Sequence, residues 1–241
     1  MGGSWAEDHR EMTEGSGRAI LPSISIGSVR IRVKENLSRR LLATALELAS
    51  ECERIEREQS ALDWPQEGWE RLQGLAVTTV VTAVAALEAS INELYLQAAD
   101  RSRDALESLT DEHMALLEAL WPTVEWTRGI LNKYQVALTA CGKAPFDKGA
   151  EPWQSAAGLV RLRNALVHFK PEWRDEQREH KKLEELLSSR FPENALSQRA
   201  KGSMTWFQGR CLGAGCAMWA CDTVTAFAAH FASRLGVRDR F

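Results

Sequence analysis

Residues 72–87 form a run of 16 residues without one charged side chain. They sit inside a longer stretch, about residues 67–99, whose pattern is helical throughout. At 1.5 Å of rise per residue that stretch predicts a helix roughly 50 Å long. Its middle is apolar all round, and such a helix must be surrounded by others. A membrane-spanning helix needs roughly 20 predominantly apolar residues. This run is shorter, and it also holds Gln73, Gly74 and three Thr. It predicts the buried spine of a helical bundle, with no membrane partner.

The flanking sequence supplies the helices that such a spine requires. Leu37, Leu41, Ala45, Leu48, Cys52 and Ile55 recur every three or four residues, which predicts an amphipathic helix over 34–61, ended near Pro65. Thr110, followed by Asp111 and Glu112, reads as a helix start. Pro122 reads as the first-turn residue of a further helix over 123–141, stopped by Gly142. A loop over 142–152 precedes helices over 153–169, 172–190 and 207–235, with a break at Pro171 and an irregular stretch over 191–205. Only residues 23–33, with Ile24, Ile26, Val29, Ile31 and Val33, alternate; they read as a short strand pair around Gly27 or an extended arm. The predicted fold is all-α: a single helical bundle over 23–241 with a long central helix, a short arm, and a flexible lead over 1–22.

Composition narrows the function classes. Hydrophobic residues at 44% can fill a core of this size, and a net charge of −3 with a pI near 6.0 argues against a protein that coats nucleic acid. The five Cys form no C-x-x-C pair. Cys211, Cys216 and Cys221 step around a helix by about 140° each, so they do not share a face. No zinc site, disulfide framework or other metal site is expected, and no cofactor. Residues 1–17 lack the basic and apolar regions of a secretion signal. Reduced, buried thiols and a cytoplasmic location follow as expectations. Gly142-Lys143 lacks the upstream glycine of a phosphate loop, and Gly213 and Gly215 follow no strand, so no nucleotide-binding fingerprint is present.

One stretch carries chemistry: LVRLRNALVHFKPEW, residues 159–173. Placed on a helix at 100° per residue, Leu159, Leu162, Leu166 and Phe169 fall within about 80° and define a core face. The other arc carries Arg163, Val167, Asn164, His168 and Arg161. Asn164 and His168 are one turn apart. A guanidinium, an amide and an imidazole on one outward face suit phosphate chemistry: a fixed cation, a hydrogen-bonding group that orients, and a group that titrates near neutrality. The competing reading is a polar helix end, its basic residues near the negative end of the dipole.

The spacing Arg163-Asn164-Ala165-Leu166-Val167-His168 resembles the signature of the HEPN superfamily, Arg then four to six residues then His, with a polar residue after the Arg. The segments ALEASINELY and KYQVAL look similar too, and the resemblance spans roughly residues 35–235. It implies a helical bundle that dimerises with two signatures facing one composite site. It implies metal-independent RNA cleavage in active members, often toxins or antiviral-defence proteins held by an antitoxin or system partner. Other members only bind or scaffold. On this resemblance His168 would move the 2′-OH or 5′-oxygen proton, Arg163 would pair with the scissile phosphate, and Asn164 would orient one of them. Some family toxins carry a modifiable Tyr two residues after the His. Here that position is Lys170, on the helical count about 20° from Arg163, as a further phosphate contact.

Supporting candidates lie elsewhere. Glu88 closes the uncharged run, with Asn92 one turn on; the prediction is that Glu88 meets Arg163 or its neighbours as an orienting carboxylate. The segment VRIRVKENLSRR places Arg30, Arg32, Lys34, Arg39 and Arg40 against the single acid Glu35, and with Arg161 these are the candidate RNA-backbone contacts. Trp126, Trp153 and Trp173 lie near basic residues and are candidates for base stacking. Arg174 and His180 read as a solvated face. The functional expectation is a homodimeric, metal-independent endoribonuclease, with a non-catalytic interaction or nucleotide-binding module as the alternative.

Overall fold

The computed structural model describes residues 25–26, 29–30, 34–60, 66–102, 106–126, 129–173, 179–200, 204–239 and 241. The chain divides into two units, residues 1–35 and 36–241. The lead over 1–22 lies outside the described residues. In the first unit, β1 (Ser25–Ile26) pairs antiparallel with β2 (Val29–Arg30), Ser25 opposite Arg30 and Ile26 opposite Val29.

The second unit is all-α. Its helices are α1 (Ser38–Ser60), α2 (Gln66–Ala99), α3 (Asp111–Val124), α4 (Ile130–Ala140), α5 (Trp153–Val167), α6 (Glu179–Leu187), α7 (Ala195–Ala200) and α8 (Ala214–Leu235), with a π-helical turn at Phe207–Cys211. α2 is the spine: α1, α3, α4, α5 and α8 all pack on it. The stretch Gly68–Ala99 is long and apolar enough to cross a membrane, and half of its most apolar window is buried inside the bundle. Leu72, Ala76, Val80, Ala83, Val84, Leu87, Ile91 and Leu94 are fully buried along one side of it, while Val77, Val81 and Ala85 on the other side are partly exposed, so the helix is covered on one side and not all round.

Side chains from neighbouring elements close several helix starts. Glu93 on α2 accepts hydrogen bonds from the N–H groups of Leu37 (2.7 Å) and Ser38 (2.9 Å) and from Ser38 Oγ (2.6 Å), so α2 caps α1. Glu56 on α1 accepts from Ala195 N–H through Oε1 (2.7 Å) and from Ala214 N–H through Oε2 (2.8 Å), so one carboxylate caps both α7 and α8. Thr110 caps α3 as its sequence predicts, accepting from His113 N–H at 3.2 Å.

Three boundaries differ from the sequence reading. Pro122 lies inside the last turn of α3, where its missing N–H removes a single helical hydrogen bond and the helix ends two residues later. It does not open the next helix. That start belongs to Gly129, whose φ of 113° admits only glycine without strain. The final helix is not continuous from 207: the π-helical turn ends at Cys211 and α8 begins at Ala214. Between them Gly213 lies so close to Asn194 that a β-carbon would stand 2.6 Å from the Asn194 Cβ. Of the charged helix expected over 172–190, Glu179–Leu187 is α6 and residues 172–173 and 188–190 are not helical; residues 174–178 lie outside the described residues.

Candidate functional site

α5 buries Trp153, Ala156, Gly158, Leu159 and Leu162 and turns its other side outward. Asn164 and Arg161 are exposed there, and so is His168. His168 is the C-cap, its N–H bonded to the Asn164 carbonyl at 2.9 Å. Arg163 behaves differently. It turns toward α2, a quarter exposed, with one guanidinium nitrogen 3.9 Å from Glu88 Oε2. Glu88 therefore meets Arg163, as the sequence predicts. Among the described residues no hydrogen bond or ion pair joins the side chains of Arg163, Asn164 and His168 to one another. The arc seen on the helical wheel resolves into an Arg163–Glu88 contact on one side and an open Asn164–His168 pair at the helix end.

A residue that sequence reasoning missed completes the cluster. Lys133 on α4 is buried, 4% exposed. Its ammonium lies 2.9 Å from Asn92 Oδ1 and 3.8 Å from Glu88 Oε1. The Trp121 ring centroid is 5.9 Å away, within cation–π range. Its signal is in the sequence. With Ile130, Leu131, Tyr134, Ala137 and Leu138 on the buried side of α4, position 133 falls on the same arc, so its Lys lies on the core side of an amphipathic helix.

Two tyrosines fix α4 against α2. Tyr95 on α2 donates its hydroxyl to the Lys133 carbonyl at 3.0 Å, and Tyr134 on α4 donates to the Leu87 carbonyl at 2.6 Å. Burial pushes the Tyr95 hydroxyl well above its ordinary range, so it remains a donor. The two bonds run in opposite directions between the helices, one beside Lys133 and the other beside Glu88. Tyr95 also stacks on Trp121, ring centroids 5.7 Å apart.

Beyond His168 the chain is no longer helical, and the wheel positions of Phe169 and Lys170 change accordingly. Phe169 is half exposed, not a member of the α5 core face. Lys170 is exposed, and the helical count that set it beside Arg163 does not apply. Phe169 stacks on His180 (5.6 Å) and His180 on Phe207 (4.6 Å, 10° between planes). His180 Nδ1 lies 3.5 Å from Glu172 Oε2. His180 is thus sheltered against two phenyl rings that also meet each other at 5.8 Å, and the solvated-face reading of this residue is overturned. Its shelter comes from residues distant in sequence. Arg174 lies outside the described residues.

The basic segment is split between the two units. Arg39 and Arg40 are exposed at the start of α1, and Lys34 is exposed in the first unit. Arg32 and the Arg30 side chain lie outside the described residues. Trp153 is core, whereas Trp126 and Trp173 are 81% and 80% exposed. All five cysteines are buried and unpaired by disulfides. Among the described residues no group of three or more His, Cys, Asp or Glu side chains stands close enough to hold a metal ion. Compared with family models, curated proteins and solved structures, the chain matches none.

Proposed function

We propose that the protein is a metal-independent endoribonuclease of toxin or antiviral-defence type, acting as a homodimer on RNA. The observation that carries this reading is the outer side of α5. A cation paired with a carboxylate on α2, Arg163 with Glu88, is followed directly by an exposed amide, Asn164, and one turn further by an exposed imidazole, His168. His168 takes the proton of the 2′-OH, whose oxygen attacks the adjacent phosphorus. The bond to the 5′-oxygen breaks, and His168 of the second copy protonates that leaving oxygen. The products are a 2′,3′-cyclic phosphate and a free 5′-OH. Arg163 stabilises charge on the phosphoryl oxygens. Asn164 orients the phosphate, and Arg39, Arg40, Arg161 and Lys170 lie along the strand. An antitoxin or a defence-system protein is the natural partner of such an activity, and the cytoplasm is its setting.

A second reading has its own support. Val167, Phe169 and Trp173, within five residues of His168 in the chain, are 51%, 50% and 80% exposed. Exposed apolar side chains this frequent suit a non-catalytic interaction module. Incubation of the full chain with total RNA in the presence of a chelator separates the two. The nuclease reading expects fragments ending in cyclic phosphate, reduced about 100-fold or more in His168→Ala and in Arg163→Ala. Cleavage that survives in both variants removes the assigned site. An intact, folded protein that cleaves nothing favours the interaction module.

A further inference from the structure

We propose that Lys133 and Arg163 together form a seat for one phosphate group, with Glu88 as the internal counter-ion that the phosphate displaces. The proposal rests on the phosphate-directed reading of the α5 face and adds to it a buried cation and a built-in competitor.

Lysine is almost never fully buried unless its charge is paired. Lys133 is 4% exposed, and its pairing is incomplete. An ammonium has three donors. Among the described residues its one side-chain hydrogen bond goes to a neutral amide oxygen, Asn92 Oδ1 at 2.9 Å. The Glu88 carboxylate stands at 3.8 Å, beyond hydrogen-bond length. Arg163 is 3.9 Å from the other oxygen of the same carboxylate. One anion therefore stands between two cations, within ion-pair range of both and at hydrogen-bond length from neither, and the cluster carries one positive charge in excess.

Depth is ordered in the sense a ligand needs. The side chain of Lys133 is 5% exposed, that of Arg163 24%, and that of Glu88 42%. Of the three, the carboxylate is the most open to solvent and the ammonium the most covered. A phosphodiester arriving from solvent brings one negative charge and two free oxygens. When Glu88 swings outward, those oxygens meet the ammonium and the guanidinium. Asn92 and the Trp121 ring keep Lys133 in place meanwhile. Tyr95, bonded to the Lys133 carbonyl, fixes the backbone from which it reaches. Glu88 discriminates as well as holds: only an anion that outcompetes it in geometry and charge is admitted.

The test uses the full chain and inorganic phosphate, with binding measured by calorimetry against chloride at equal ionic strength. Wild type is expected to bind phosphate. Glu88→Gln is expected to bind it about tenfold tighter, and Lys133→Met about tenfold weaker. With an uncleavable 2′-O-methyl oligoribonucleotide, Lys133→Met is expected to lower the salt slope of binding by about 0.7, the loss of one single-strand phosphate contact. A lysine that only braces the core leaves that slope unmoved. Absence of phosphate binding in wild type, unchanged binding in Lys133→Met, or weaker binding in Glu88→Gln each overturns the proposal. Should Lys133→Met not fold, the exposed-site variant Glu88→Gln decides alone. Phosphate binding in the expected order without RNA cleavage removes the nuclease reading and leaves this seat standing. RNA cleavage with phosphate binding and salt slope indifferent to Lys133 does the reverse.

Discussion

Ser38 and Glu93 are joined twice. The Ser38 N–H and hydroxyl both donate to the Glu93 carboxylate, at 2.9 and 2.6 Å, although 55 residues separate them. The first turn of α1 is thereby anchored to the C-terminal part of α2. Replacing Glu93 by Ala strands those donors and is expected to cost about 2 kcal/mol of unfolding free energy. Glu93→Gln keeps one acceptor oxygen without the charge and should cost about half as much. Urea unfolding followed by circular dichroism checks both.

Glu56 performs the same service for two helices at once. Its oxygens go separately to α7 and α8, so no single neutral side chain satisfies both ends equally well. Glu56→Ala should destabilise by about 2–3 kcal/mol. Hydrogen exchange should quicken first at Ala195 and Ala214, before the core of α2 loosens. Uniform exchange across the bundle would contradict this capping role.

His180 anchors the segment that leaves the candidate site. Loss of its ring removes two of the three ring contacts, leaving only the direct Phe169–Phe207 one at 5.8 Å, and removes the imidazole–Glu172 contact. His180→Ala is expected to lower stability by about 1–2 kcal/mol, while His180→Phe retains the stack and most of that stability. If the protein cleaves RNA, His180→Ala should also slow cleavage several-fold, because residues 169–173 hang from this stack. A rate unchanged in His180→Ala detaches the stack from the site.

The thiols make a prediction with a definite sign. Burial pushes Cys52 and Cys221 up to about 12 and Cys141 to about 11. It raises Cys211 and Cys216 further. The native protein should therefore be almost inert to a thiol reagent at pH 8, and all five cysteines should react after denaturation. A thiol that holds its proton more tightly folded than unfolded contributes stability in full below its ordinary value of about 9, and that contribution is lost as pH rises toward about 12. Thermal melts across the alkaline range check this. A transition temperature flat to the end of that range would count against it.

Some of this architecture is written locally, and some is not. The spine was legible as the helix on which the others pack, though not that one side of its uncharged run stays partly open, and the start of α3 was legible because a cap is a matter of four adjacent residues. Pro122 misled because proline suits a first turn and is also tolerated near a last one, and only the position of Gly129 decides between them. Phe169 and Lys170 share one cause: a helical count carried past His168, although Pro171 already disfavours a helical Lys170. His180 owes its shelter to Phe207, which no local pattern connects to it. Lys133 was legible and overlooked. A lone charge on the apolar arc of a short helix announces a buried partner, and the partner was Asn92, already singled out one turn after Glu88.

The chain has two tyrosines, and both lie in the joint between α2 and α4, each donating to the other helix's backbone. The protein thus carries its own optical gauge of that joint. Tyr95 cannot ionise without giving up its bond across the two helices, and burial holds its hydroxyl well above the ordinary range. Its tyrosinate absorbance on raising the pH should stay dark while the joint is closed and rise when it opens. No label need be added to watch Lys133 and Glu88 lose their common frame.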